Sequence, residues 1–63
     1  MTGRQLKSAR NKLGLSAMGL ARALEIEGRW ADKTIRRWEA LKYPEKVPGP
    51  VAVAVRLMLG VEG

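Results

Sequence analysis

The sequence predicts a small all-α domain of four helices, or five, filling residues 1–63 as one unit. Three observations lead there. Apolar residues recur at helical spacing, with Leu6, Ala9 and Leu13 on one face, then Leu20, Ala21 and Leu24, then Ile35 and Trp38. Capping and punctuating residues bracket those runs. The one alternating stretch, Val51–Val55, has no second strand in the chain to pair with.

The first helix starts from Thr2-Gly3-Arg4-Gln5, which fits a capping box with Thr2 as N-cap, and it runs over about 3–13. Gly14 suits the left-handed position that ends it. Ser16 caps a second helix over about 17–25, whose Ala21–Leu24 run favours helix. Gly19 inside it costs stability and marks an expected close contact with another helix. An irregular stretch punctuated by Gly28 leads to a third helix over about 32–41, with Asp32 able to cap or favour its positive end. Residues 42–50 carry three prolines and a glycine and read as a loop. Pro50 at a first helical position, followed by Ala54 and Arg56–Leu59, gives a fourth helix over about 50–60.

Composition limits the chemistry. A chain of 63 residues holds one modest core, and with no Phe that core needs aliphatic side chains plus Trp30, Trp38 and Tyr43. Absence of Cys and His removes disulfides, zinc ligation and His-dependent catalysis, so no enzyme, metal or cofactor is expected. No apolar run is long enough for a bilayer, and no small-molecule substrate is inferred. The net charge of +6 is uneven: residues 1–22 hold five cations and no acid, residues 29–46 hold six against three acids, and residues 47–63 are neutral. A basic body with a neutral apolar end suggests a polyanion partner.

The third helix sharpens this. With Ile35 and Trp38 facing inward, Lys33, Arg36, Arg37 and Ala40 cluster on the opposite side. A basic helix face with a small residue in it suits a major groove, where Arg and Lys reach guanine acceptors. Two helices joined near a small residue, the second of them basic, suggest helix-turn-helix geometry.

The stretches "LKSARNKLGLSAMGLARAL", "TIRRWEA" and "VPGPVA" together resemble the lambda-repressor/Cro-like (XRE-type) helix-turn-helix domain of phage and bacterial regulators, over nearly the whole chain. The resemblance implies that Ser16 and Ala17, at the start of helix 2, hold a DNA phosphate through backbone N–H groups. It makes Lys33, Arg36 and Arg37 the base-contacting residues of a recognition helix, and it brings Lys42 and Lys46 to phosphates. It pairs Arg10 with Glu39 as a structural ion pair. Two departures stand out. Ala17 replaces the family's usual glutamine, and "EIEGRWADK" makes the helix 2–helix 3 connection about four residues longer than the family's turn. In that added loop Arg29 could reach a phosphate, and Trp30 is expected to cap the core.

The expected function is sequence-specific binding of double-stranded DNA by a small transcriptional regulator, a repressor, in the cytoplasm of a bacterial or phage-infected cell. Surplus apolar surface on helix 4 could form a homodimer contact across paired half-sites. The alternative is a protein-interaction module that reuses the fold and docks through helix 4. Single-strand RNA readers usually display stacking aromatics, and this chain has only two Trp and one Tyr.

Overall fold

The computed structural model describes residues 1–42 and 44–60 and is all-helical there: α1 (Gly3–Lys12), α2 (Ala17–Ala23), α3 (Ala31–Glu39) and α4 (Gly49–Met58). Local signals set most of the ends. Thr2 Oγ1 accepts from the Gln5 N–H at 3.1 Å while Gln5 Oε1 accepts from the Thr2 N–H at 2.8 Å, a complete capping box. At the other end of α1, Gly14 takes φ 70°, its N–H donates to the Asn11 carbonyl, and the Leu15 N–H donates to the Arg10 carbonyl. This is a Schellman stop, and it satisfies carbonyls the helix leaves open. Ser16 then restarts the chain as the N-cap of α2, its Oγ accepting from the Gly19 N–H at 2.9 Å.

α2 stops at Ala23, two residues before the expected end at 25. The same Schellman pair recurs, with the Glu25 N–H on the Arg22 carbonyl at 3.0 Å and the Ile26 N–H on the Ala21 carbonyl at 2.9 Å. Here the left-handed residue is Glu25, at φ 60°. Glutamate favours helix, so nothing local in the sequence announces this stop.

α3 begins one residue early, at Ala31, with Trp30 as N-cap and no side-chain cap. Asp32 lies in the first turn, where a carboxylate meets the positive end of the helix. The helix closes at Glu39 rather than 41, because the Ala40 N–H is shared between the Arg36 and Arg37 carbonyls and the Leu41 N–H reaches Trp38, tightening the last turn. α4 starts at Gly49 behind the N-cap Pro48, so Pro50 is its second residue, and it ends at Met58 with Leu59 as cap.

One large side chain from each helix closes the core: Leu6, Leu20, Ile35 and Val55 are fully buried. Ala9, Ala17, Ala21, Ala31 and Val47 complete the cluster around them, and Ala52 is buried as well. Full burial of a Leu, Ile or Val is worth roughly 1.5–3 kcal/mol, so these four dominate the apolar stabilisation. α3 packs on both α2 and α1, and α4 rests on α1. The Val47 N–H donates to the Met1 carbonyl at 2.8 Å, tying the α3–α4 loop to the chain start.

Three packing expectations change. Trp30 does not cap the core: it is 60% exposed, because as N-cap it stands outside the helix it begins. Trp38 is half-buried against the core, and Tyr43 lies outside the described residues. Gly19 faces no other helix, since a Cβ there would meet its own cap, Ser16 Oγ at 3.2 Å, and the Leu15 side chain. Gly3 makes the close helix–helix contact instead: a Cβ on it would stand 2.6 Å from both the Trp38 and Glu39 carbonyl oxygens.

Candidate nucleic-acid interface

The orientation of α3 follows from its apolar residues. Ala31 and Ile35 are buried and Trp38 is half-buried, which turns the opposite side outward. Lys33, Arg36, Arg37 and Ala40 are all exposed on that side. Among the described residues none of these cations has an ion-pair partner within 4.0 Å; the pair found there is Arg10–Glu39. The outer side of α3 is therefore a strip of free positive charge around a small side chain.

The lower end of this strip is held in place by α1. Arg10 Nε donates to Glu39 Oε2 at 2.6 Å and Nη2 donates to Oε1 at 3.3 Å, a fork meeting both carboxylate oxygens. The third arm, Nη1, donates to the Leu15 carbonyl at 3.1 Å. One guanidinium thus joins the end of α1, the turn before α2 and the end of α3. The side chains of Arg10 and Glu39 are only 17% and 9% exposed, so neither is available to an outside ligand.

At the upper end, Trp30 and Lys33 form a second local unit. The Lys33 Nζ lies over the Trp30 ring, 4.2 Å from its centroid, within cation–π range. Arg29 is exposed beside it in the long α2–α3 connection.

The remaining sequence-predicted residues surround this strip unequally. Lys42 and Lys46 are exposed in the loop after α3. Lys42 lines a groove with Arg4, Ala40 and Leu41, so Arg4 of α1 reaches the same end of α3 as the loop lysine. At the start of α2, Ser16 is exposed, but its Oγ already accepts from Gly19. Ala17 has its side chain buried, so any contact there would fall to the main chain. The sequence reading placed Trp30 inside and did not bring Arg4 to this end of α3. Arg4 could have been found only from the α1–α3 packing, and Trp30 only from its place as the N-cap of α3.

Among the described residues there is no group of His, Cys, Asp and Glu that could hold a metal ion, and no helix is long and apolar enough to cross a membrane. Comparison with protein-family models, with curated proteins and with solved structures returned no match.

Proposed function

We propose that this chain binds double-stranded DNA sequence-specifically and works as a small transcriptional regulator of the lambda-repressor/Cro-like helix-turn-helix kind, a repressor in bacterial or phage-infected cytoplasm. The observation that supports it best is the outer side of α3, where Lys33, Arg36 and Arg37 are exposed around Ala40 with no ion-pair partner among the described residues. In this reading α3 enters the major groove. The guanidinium groups reach the O6 and N7 acceptors of guanine, and Ala40 lets the helix come close. Arg29 before the helix and Lys42 and Lys46 in the loop after it take phosphates, with Arg4 beside Lys42. Ser16 and Ala17 add at most main-chain contacts. The net charge of +6 draws the duplex in before any base is read.

A fluorescence-polarisation titration of labelled duplex at two salt concentrations tests this. Binding that weakens steeply with salt is expected, because each neutralised phosphate releases counterion. No duplex binding and no salt slope would overturn the reading.

A second reading has its own observation. Val53 is 56% and Leu57 72% exposed, one turn apart on α4. This apolar stripe suits either a second copy of the chain, giving the homodimer that reads paired half-sites, or a different protein partner. Chemical-shift mapping separates the readings: changes confined to α4 on adding a protein partner, with none on adding DNA, would favour an interaction module.

A further inference from the structure

We infer that Trp30 is a specificity-determining residue of the DNA-reading surface, and that its indole edge reads a thymine 5-methyl group; this rests on the DNA-binding reading above. A Trp that is 60% exposed on a domain this small leaves unburied one of the chain's largest apolar side chains. Trp30 is the N-cap of α3, and the Lys33 ammonium sits 4.2 Å from its ring centroid. Lys33 and Arg37 follow it at i+3 and i+7, so Trp30 prolongs the line of exposed base-reading side chains by one position at the N-terminal end of the helix.

The chemistry of the contact follows from what surrounds the ring. Lys33 occupies one face, so a base stacking there would have to displace it. A duplex offers no splayed bases anyway, only their edges. An apolar aromatic edge with the Lys33 ammonium over its ring and the exposed Arg29 next to it in the chain fits the one apolar group in the major groove, the methyl of thymine. The same ring also restrains the flexible Lys33 stem, so that its ammonium is presented beside that methyl rather than free in solvent.

The test begins by enriching bound duplexes from a random pool with the wild-type chain. Affinity is then measured on the enriched site and on copies in which each thymine in turn is replaced by uracil, a change that removes only the methyl. At least one thymine should respond, its replacement weakening wild-type binding about four-fold, the value of one buried methyl-sized group. Trp30→Ala should bind the thymine and uracil sites alike, and Trp30→Phe should restore the difference. If the wild type tolerates every uracil, or if Trp30→Ala keeps the same discrimination as wild type, the inference is overturned while the DNA reading stands. Tighter binding of single strands than of duplex would also overturn it, in favour of base stacking on the indole. A pool that yields no motif sinks the DNA reading itself, and this inference with it.

Discussion

Arg10 and Glu39 lie 29 positions apart in the chain and meet through two hydrogen bonds, at 2.6 and 3.3 Å, that lock the end of α1 to the end of α3. Both side chains are largely withdrawn from water. Removing only one of them strands the other charge. Glu39→Ala should therefore cost roughly 3–5 kcal/mol in chemical denaturation, a large part of the stability of so small a domain. The double replacement Arg10→Met with Glu39→Leu should recover most of that loss. If Glu39→Ala costs no more than an exposed surface substitution, the pair does not hold α3.

Gly3 makes a different kind of contact between the same two helices. Gly3→Ala would improve helix propensity by up to about 1 kcal/mol in an open site. Here its Cβ would stand 2.6 Å from two backbone carbonyl oxygens, which cannot swing aside as a side chain could. We expect a net loss of roughly 1–3 kcal/mol, read as a lower thermal midpoint with the helical circular-dichroism signal retained. A stabilised Gly3→Ala would mean that the two helices are further apart than described.

The contrast between these residues shows what the sequence could and could not disclose. The caps at Thr2, Gly14 and Ser16 were legible because each is decided within four residues of itself. The outward set on α3 was legible because Ile35 and Trp38 fix the direction of the whole helix. The partnership of Arg10 with Glu39 came from family resemblance, since no local pattern links residues so far apart. The close helix approach was assigned to Gly19 instead of Gly3 for a matching reason: a glycine's close approach depends on what stands across from it. Trp30 was placed inside because apolar area usually goes inside, a tendency that yields when the residue serves as a cap.

Glu25 offers a test of local strain. A non-glycine residue in the left-handed region costs about 1–2 kcal/mol, while glycine adopts it freely but loses more entropy on folding. Glu25→Gly should thus raise stability by up to about 1 kcal/mol, and Glu25→Ala should give no such gain. Equal effects from the two substitutions would show that the charge, not the backbone, matters at this turn.

On the DNA side, two substitutions should separate reading from holding. Arg37→Ala should weaken binding to the enriched site by roughly 1–3 kcal/mol and relax one base position. Lys42→Ala should weaken all sequences alike and reduce the salt slope by about 1. The measurement is competition binding against matched and scrambled duplexes. Identical behaviour of the two variants would remove α3 from the role of reader.

The approach of α1 to α3 at Gly3 leaves no compliant layer of side chains between the two backbones. The C-terminal end of α3 therefore works as a fixed pivot, and the connection from Leu24 to Trp30 is the part that can set the tilt of the other end. Added loop residues cost little, because closure entropy rises only slowly with length. In the proposed DNA-binding role, variants that trade this connection for a shorter or longer one would change the angle of the strip while every contact at the pivot stays in place.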